Sequence, residues 1–383
     1  MISIRVATSN TRGFLKNLFN IKSDNIKFFY EKNNLYEIPN NKKDIIYKIL
    51  KLHIFDLFGV FQVLKKKDIV EDACFSYNRF LKTDKPYIIF LENPSALVNY
   101  CWERPKYYIS KKRLKKCFND KNLKAIVCMS KACYTNIWNL YDIPNNLNIS
   151  QIYPLIPDDD TFTLKEIKKI SYSNIVQCLY ISSNFELKGG RDILEVFERM
   201  KALHLPIHLT IITKVNTIRE EDILRIENLN TITVRDFNLN NEELNILYRK
   251  TNILLNPTRA DSFSLVTLEA LKYGCSILAT NLYAIKEMVI DEFNGFITDS
   301  MIQVWDEDGT MNKYYRKHQD ELLYSGRIDY CLVDWMSEKL AYLVRNRDVL
   351  ENFCINSLKL SRNNDFSSET ILKEWEKLYT SIS

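Results

Sequence analysis

The sequence predicts an α/β protein with two doubly wound domains, each built on a parallel sheet with helices on both faces. Short apolar runs alternate with longer amphipathic stretches, which is the pattern of strands joined by crossover helices. These runs are too numerous for one sheet, and they fall into two series. A chain of 383 residues also suits two to three domains of roughly 150 residues each.

The first series of apolar runs starts at residues 1–7, which predict a strand rather than a signal peptide because no charged segment precedes a long apolar stretch. Further strands in this half are predicted at residues 69–70, 86–91, 123–129 and 149–153. The stretches between them are long enough for crossover helices. Two prolines and three aspartates in residues 153–160 disfavour helix and strand, so the domain boundary is predicted there.

The second series repeats this rhythm. Its strands are predicted at residues 175–181, 207–213, 231–234, 251–255 and 276–280, with helical patterns at residues 192–203 and 241–250. Residues 300–327 are polar and irregular, which predicts an insertion or a long loop. A final helix is predicted at residues 367–381, because four apolar side chains recur there at helical spacing. These side chains are Ile371, Trp375, Leu378 and Tyr379.

Composition excludes several classes of protein. The net charge is +5, from 53 Lys and Arg against 48 Asp and Glu, which is only mildly basic and does not suggest a protein that wraps DNA. With 46% hydrophobic residues the chain can bury a sizeable core, so wholesale disorder is excluded. Its 8 Gly and 9 Pro exclude collagen-like and Pro-rich chains.

The nine cysteines are scattered through apolar runs without a CxxC pair, and none of the four histidines lies near a pair of cysteines. We therefore expect buried reduced thiols rather than a zinc site or a disulfide framework. No apolar run approaches the roughly 18 residues that a membrane-spanning helix needs. These features predict a cytoplasmic protein.

The most informative stretch is residues 256–280, in which a strand leads through a polar loop into a helix at about residues 265–273. A loop that leaves the carboxyl end of a parallel strand and opens a helix is where α/β proteins bind ligands. The helix start offers unpaired backbone N–H groups and the positive end of a dipole, which suits a phosphate. Gly274 follows at the position that favours a left-handed residue.

Two carboxylates, Asp261 and Glu269, flank the start of this helix. Eight residues of helix span about 12 Å, so the two acids would hold opposite ends of an extended ligand with a diphosphate between them. The alternative is that Asp261 only caps the helix and that Glu269 is an ordinary surface residue.

A second motif follows the strand at residues 175–181, where Lys188, Gly189 and Gly190 precede a helix. Paired glycines allow the backbone to approach a ligand closely, and a lysine supplies a point charge for a phosphate. The alternative is an exposed turn.

These stretches resemble the retaining glycosyltransferases of family 4, which have the GT-B fold of two doubly wound, Rossmann-like domains facing across a cleft. Members carry an acid, seven residues and a Glu, followed by Ala and by a Gly ahead of a strand. Here these residues are Asp261, Glu269, Ala270 and Gly274, although the first acid of the family is usually Glu. Residues 285–296 also resemble the stretch that follows this helix in the family.

The resemblance implies roles for the site residues. Asp261 would hold hydroxyls of the transferred sugar, Lys188 would neutralise the departing diphosphate, and Glu269 would accept hydrogen bonds from the ribose. The acceptor would contact Glu92 and Asn93 in the N-terminal domain. Further contacts to the donor would come from Ser262, Phe263, Ser264, Leu265, Val266 and Gly189, and from Lys214 and Phe237 beside the base.

One basic residue that the family places ahead of its lysine is absent, and Arg191 or Arg259 would replace it. The family works without a metal, so the resemblance implies neither metal nor cofactor. It also implies retention at the anomeric carbon by front-side attack, with no enzyme nucleophile.

The resemblance divides the chain into an acceptor-side domain at residues 1–157, a nucleotide-sugar domain at residues 158–365, and a terminal helix at residues 366–383 that crosses back to the first domain. The implied activity is that of a hexosyltransferase in glycan or glycolipid assembly. The alternatives are a catalytically inactive protein of this fold that binds a sugar nucleotide, and a two-domain epimerase on a related fold. A dinucleotide-dependent dehydrogenase is disfavoured, because no GxGxxG follows any strand.

One basic stretch stands apart from these motifs. Five cationic residues follow Trp102, Tyr107 and Tyr108, namely Lys111, Lys112, Arg113, Lys115 and Lys116. Bases beside aromatics suit an anionic membrane surface or nucleic acid, and the plainer alternative is a solvated helix face. The expected partners are a nucleotide sugar and a glycan or lipid-linked acceptor, with peripheral contact at the inner face of a membrane and no nucleic acid.

Overall fold

The computed structural model describes residues 1–8, 12–30, 53–306, 309–363 and 365–382. The chain divides into two units. The first unit comprises Met1–Pro157, Glu307–Thr310 and Asp365–Ser383, and the second comprises Asp158–Asp306 and Met311–Asn364. Each unit is built on a six-stranded parallel sheet, as the alternation of apolar runs and amphipathic stretches predicts.

The first unit has its main sheet in the strand order β2-β1-β4-β6-β7-β8, with a separate pair formed by β3 and β5. Its strands are β1 (Ile2–Val6), β2 (Ile26–Phe29), β3 (Val63–Lys65), β4 (Ala73–Tyr77), β5 (Phe80–Lys82), β6 (Tyr87–Leu91), β7 (Leu123–Cys128) and β8 (Asn148–Gln151). Its α-helices are α1 (Leu15–Phe19), α2 (His53–Leu57), α3 (Tyr108–Phe118), α4 (Lys131–Leu140) and the C-terminal helix (Ser368–Ile382).

The C-terminal helix belongs to the core of the first unit. All four side chains of its predicted apolar stripe are buried, which confirms the helical periodicity of this segment. The Trp375 ring lies 5.8 Å from the ring of Phe75 in β4 and 5.3 Å from that of Phe90 in β6. The helix thus covers one face of the first sheet with aromatic side chains.

The strand predicted at residues 69–70 is wrong. Val70 is 83% exposed there, and the preceding Asp68 has a left-handed φ of 58°. The sheet strand is instead β4, whose five residues are all buried. Its sequence, Ala-Cys-Phe-Ser-Tyr, lacks a run of branched aliphatic side chains, so the apolar pattern did not reveal it.

The second unit has the strand order β11-β10-β9-β12-β13-β14, with parallel pairing throughout. Its strands are β9 (Val176–Ser182), β10 (Ile207–Thr213), β11 (Ile232–Asp236), β12 (Ile253–Asn256), β13 (Ser276–Thr280) and β14 (Gly295–Thr298). Its helices are α5 (Leu164–Ser171), α6 (Gly190–Ala202), α7 (Glu220–Glu227), α8 (Asn241–Tyr248), α9 (Leu265–Lys272), α10 (Lys313–Lys317), α11 (Gln319–Tyr324), α12 (Tyr330–Arg345) and α13 (Arg347–Asn363), and the C-terminal helix becomes α14.

This strand order fixes where loops converge. Counted along the second unit, it reads 3-2-1-4-5-6, so the chain reverses its direction of travel across the sheet between β9 and β12. The loops that follow these two strands leave the same edge and diverge to opposite faces, which opens a crevice for ligands in doubly wound sheets.

Local sequence explains much of the second unit. A capping box of Asn240 and Glu243 starts α8, and Gly274, two residues beyond the end of α9, has the predicted left-handed conformation with a φ of 61°. The strand β14 was not predicted from the sequence. It is only four residues long and begins at Gly295, where a side chain would collide with the backbone of Ile277.

Residues 300–327 are not simply a loop, because their described part contains α10 and α11. No disulfide joins the nine cysteines, all of which lie in the described residues, and six of them are buried. In the described part of the chain, no helix is both long and apolar enough to cross a membrane.

Candidate active site

The two sequence motifs meet at the point where the second sheet reverses its strand order. Lys188 lies in the loop after β9, and Asp261 lies in the loop after β12. The Lys188 Nζ donates to Asp261 Oδ2 at 2.7 Å and to the carbonyl oxygen of Ala260 at 2.6 Å. Both side chains are about one-fifth exposed, at 22% and 21%, so the pair is accessible from solvent. Lys188 is therefore part of a built cluster rather than of an isolated exposed turn.

The paired glycines allow other parts of the protein, rather than a ligand, to lie close to their backbone. Gly189 has a left-handed φ of 78°, and a Cβ there would lie 2.2 Å from the carbonyl oxygen of Pro257 in the neighbouring loop. A Cβ on Gly190 would lie 2.4 Å from the Phe185 ring. The amides of both glycines donate to carbonyl oxygens of the loop, those of Glu186 and Phe185. The predicted close approach therefore brings the loops after β9 and β12 together.

Asp261 is anchored on four donors. Its Oδ1 accepts from the backbone amides of Ser262, Phe263 and Ser264 at 2.9, 3.3 and 3.0 Å, and its Oδ2 accepts from Lys188. Burial acts to raise the pKa of Asp261, but the Lys188 ammonium and these hydrogen bonds outweigh it and hold the pKa below its usual range. Asp261 thus stays ionised and caps the amides ahead of α9, as the plainer interpretation of the sequence suggests.

Because of this arrangement, some of the backbone amides that were expected to bind a diphosphate already have an acceptor within the protein. The amides of residues 262–264 donate to Asp261, and the Ser264 hydroxyl lies within hydrogen-bond distance of Asn256 and Thr267. The next amides are those of Leu265 and Val266, the first two residues of α9, which have no acceptor within the helix. Both residues are partly exposed, so this first turn offers the donors for an anion.

Glu269 lies one turn further along α9 and is held by a residue that sequence reasoning missed. The hydroxyl of Tyr248, the last residue of α8, donates to Glu269 Oε2 at 2.8 Å. The Tyr248 ring stacks on Tyr273 with its centroid 5.6 Å away. Burial raises the pKa of Glu269 to about 7, although the hydrogen bond from Tyr248 acts to lower it. Glu269 has a raised pKa and is held in one orientation by a hydrogen bond, so it is not an ordinary surface residue.

Lys214 and Phe237 lie beside each other at the same edge of the sheet. They directly follow Thr213 of β10 and Asp236 of β11, which are partners in the parallel register. Both side chains are exposed, and the Asp236 carboxylate accepts from the Val215 amide at 3.4 Å, which links the two loops. The structure therefore brings together the two residues that were expected beside the base.

Glu92 and Asn93 lie at the carboxyl end of β6 in the first unit, and both are buried. Glu92 accepts from the Tyr77 hydroxyl at 2.6 Å and pairs with Arg12 at 3.2 Å. The Asn93 side chain accepts from the amide and the hydroxyl of Ser95 and caps a short 3-10 helix at Pro94–Val98. Both side chains therefore make hydrogen bonds or ion pairs with nearby residues of the first unit.

The suggestion that Arg191 or Arg259 replaces the absent basic residue is not supported. Arg191 pairs with Glu221 and Asp222, and its Nη1 donates to the carbonyl oxygen of Gly326. Arg259 is buried against Asp192. In the portion of the chain that the structure describes, no group of three or more His, Cys, Asp or Glu side chains is placed to hold a metal ion.

Sequence comparison matches part of the chain to a known family. Residues 165–307 match the sequence model of the family described as Glycosyl transferases group 1. This segment contains Lys188, Asp261 and Glu269, all from the second unit. No curated protein matches the chain in sequence.

Several solved structures are similar to the whole chain. The Anabaena protein HepE, solved with UDP-glucose, is 12% identical with a TM-score of 0.56, and the alignment covers 100% of both chains. WaaG, a glycosyltransferase involved in lipopolysaccharide biosynthesis, is 13% identical with a TM-score of 0.57, over 99% of this chain and 100% of WaaG. TarM is 13% identical with a TM-score of 0.51 over 80% of this chain, which spans 54% of the length of TarM.

The two six-stranded parallel sheets and these neighbours establish the GT-B fold. The matched segment adds a likeness in sequence to the group 1 glycosyl transferases over residues 165–307, almost entirely within the second unit.

Proposed function

We propose that the protein is a retaining glycosyltransferase of the hexosyltransferase type, similar to family 4, which moves a sugar from a nucleoside diphosphate sugar to an acceptor in glycan or glycolipid assembly. One observation carries the proposal. The ammonium group of Lys188 lies 2.7 Å from the Asp261 carboxylate beside the first turn of a helix that also bears Glu269. A cation, helix amides and two spaced carboxylates together suit a ligand with a diphosphate between two polyhydroxylated groups.

The donor would bind along α9. The diphosphate would accept hydrogen bonds from the amides of Leu265 and Val266 and charge from Lys188. Glu269, oriented by Tyr248, would accept from the ribose hydroxyls, and the Asp261 carboxylate would also hold hydroxyls of the sugar. The base would lie against Lys214 and Phe237, since these residues directly follow β10 and β11, the two strands on the side of β9 away from β12.

The proposed reaction needs no enzyme nucleophile. An acceptor hydroxyl attacks the anomeric carbon from the face that the diphosphate leaves, so the new C–O bond replaces the C–O bond to phosphate on the same side. The proton of the acceptor passes to the departing phosphate oxygen, which balances the reaction. Lys188 and the helix amides stabilise the charge that grows on that phosphate, and preorganised donors of this kind supply a large part of catalysis. We propose that the reaction requires neither a metal nor another cofactor.

A two-stage experiment tests this function. Thermal unfolding is followed with UDP, ADP, GDP and dTDP, and one of them should raise the Tm because it binds only the folded protein. Nucleotide sugars that carry the base of the stabilising nucleotide are then supplied with EDTA present. Proton NMR follows the release of the nucleoside diphosphate and shows the anomeric configuration of the product. Stabilisation without transfer or donor hydrolysis would indicate the inactive sugar-nucleotide-binding alternative. If no nucleotide stabilises the protein, the proposal fails.

The basic stretch forms part of a surface that combines cations with exposed apolar side chains. All five cations lie on α3, and Lys111, Lys112 and Lys115 line a groove of about 1000 Å³ beside it. The other residues that line the groove include Lys106, Tyr108 and Trp138. The helix carries no acid, and its inward face buries Leu114 and Phe118. Four exposed apolar side chains flank the cations, namely Leu57, Phe58, Tyr108 and Ile109. We propose that this surface contacts an anionic membrane at its cytoplasmic face and brings the enzyme to a lipid-linked acceptor.

Vesicle sedimentation tests the membrane contact. Changing Lys111, Lys112 and Lys115 to Gln should weaken binding to phosphatidylglycerol-containing vesicles about 100-fold, since each lysine near such a surface contributes about 1 kcal/mol. The matched control changes three exposed lysines of α5 to Gln, at positions 165, 168 and 169, and should bind as the wild type does. Equal loss in both variants, or equal binding to neutral phosphatidylcholine vesicles, would contradict the proposal. Short random DNA should not compete.

A further inference from the structure

A buried ion pair lies directly behind the Lys188–Asp261 cluster. Arg259 precedes Asp261 by two residues, and Asp192 follows Lys188 by four residues in the first turn of α6. The Arg259 Nη2 lies 2.9 and 2.8 Å from the two carboxylate oxygens of Asp192. The two side chains are 4% and 1% exposed. Arg259 thus belongs to the loop that carries Asp261, and Asp192 lies in the first turn of the helix that follows the loop carrying Lys188.

The pair also gathers a third segment. Arg259 donates to the carbonyl oxygen of Arg327 at 2.5 Å, and Asp192 Oδ1 accepts from the amide of Asp329 at 2.9 Å. The carboxylate of Asp329 in turn caps α12 by accepting from the amide of Leu332 at 3.0 Å. The ends of two loops and the start of a long helix are therefore fixed through one buried junction.

The separation of the two loops is consequently set at two points. Next to Lys188, the backbone of Gly189 lies against the carbonyl oxygen of Pro257 in the loop after β12. Deeper in the protein, the buried Asp192–Arg259 pair joins the same two segments. Burial raises the pKa of Asp192 while the Arg259 guanidinium opposes this rise, so the carboxylate relies on its partner to stay ionised. Removing one partner would leave the other charge buried without compensation, which loosens the junction.

We infer that Asp192 and Arg259 are positioning residues, which hold Lys188 and Asp261 at the distance that the transfer reaction requires. This inference rests on the proposed function for its kinetic consequence. The pair is too deeply buried to touch a substrate and acts through the loops that it joins. A pair that served stability alone would affect the folded fraction of the enzyme and not the geometry of the cluster.

A double-mutant cycle separates positioning from stability. Arg259→Lys keeps the charge but replaces a planar guanidinium with a single ammonium. It should lower kcat about tenfold in the wild-type background at a temperature where the variant is fully folded. In an Asp261→Asn background it should cost less than about twofold, because residues that act as a unit are non-additive. The matched control is Arg225→Lys, which breaks surface pairs between α6 and α7 and should leave kcat unchanged.

A second readout does not depend on activity. Limited acetylation followed by mass spectrometry should label Lys188 several-fold faster in Arg259→Lys than in the wild type, because the ammonium loses its fixed position on Asp261. Labelling of the exposed Lys214 should stay constant, as should all labelling in Arg225→Lys. Unchanged Lys188 labelling, or an equal fold-loss of kcat in both backgrounds, would overturn the inference. If the wild type transfers no sugar while the labelling result holds, the proposed function fails and the positioning role stands.

Discussion

Replacing Lys188 with methionine should lower kcat by about 10² to 10³, since removing one preorganised group that stabilises developing charge costs about that much in other enzymes. Methionine keeps most of the length of the side chain and removes the charge. In the proposed reaction the ammonium meets a phosphate that gains charge as the glycosidic bond breaks, so its loss falls mainly on the transition state. Steady-state kinetics with the donor found by thermal shift would measure the effect.

The fold should tolerate this change. Asp261 loses the Lys188 ammonium but keeps three backbone amides, so its carboxylate is not left without partners. The matched control is Lys201→Met, at an exposed lysine in the last turn of α6 whose ammonium donates to the carbonyl oxygen of Asn228. This control should retain wild-type kcat. A Lys188→Met variant with wild-type kcat would show that the cluster does not carry the chemistry.

How much of this site could be predicted from sequence depends on how its parts are spaced along the chain. Asp261 and Glu269 lie on one loop and one helix, so their spacing alone predicts a shared site. Lys188 lies 73 residues before Asp261, and its place in the cluster required the expectation that loops at the carboxyl ends of parallel strands converge.

The parts that were missed depend on contacts between distant segments. Tyr248 ends an amphipathic helix and gives no local sign that its hydroxyl reaches Glu269 across 21 residues of sequence. The partners Asp192 and Arg259 are 67 residues apart, and isolated charges in a sequence are normally solvated. Only the tertiary fold shows that these charges are buried together.

The same distinction explains the errors in the fold. Strands with a continuous aliphatic run, such as β6 and β13, were predicted within about one residue of their bounds. The strands β4 and β14 are specified by burial on both faces and by the backbone contact at Gly295, neither of which is a pattern of hydrophobicity. Propensity is a weak guide where tertiary packing decides the structure.

The pH dependence of nucleotide binding should follow Glu269. Because its pKa is raised to about 7, the carboxyl group is mostly protonated at pH 6 and mostly ionised at pH 8. Ribose hydroxyls donate to the ionised form, so affinity for the stabilising nucleoside diphosphate should be about tenfold weaker at pH 6 than at pH 8. Glu269→Gln should weaken binding at pH 8 by roughly 10- to 100-fold, the worth of hydrogen bonds to a charged group. Isothermal titration calorimetry at both pH values measures this.

The Gln variant also separates ionisation of Glu269 from that of the ligand. Phosphate protonation affects both proteins equally, so the ratio of their affinities isolates the carboxyl group, and this ratio should fall by up to about tenfold from pH 8 to pH 6. A ratio near one at pH 8 would exclude Glu269 from the ribose site.

The stability of the folded protein should decrease as the pH rises, whereas its affinity for the nucleotide should increase. The folded protein keeps a proton on Glu269 that the unfolded chain releases above its ordinary pKa of 4.5, so this group lowers stability as pH rises from 4.5 to about 7. Glu269→Gln should therefore raise the Tm at pH 8 and leave it unchanged below pH 4.5. A variant that is more stable but binds less well would mark Glu269 as a carboxylate kept at a cost to the fold because the ligand requires it.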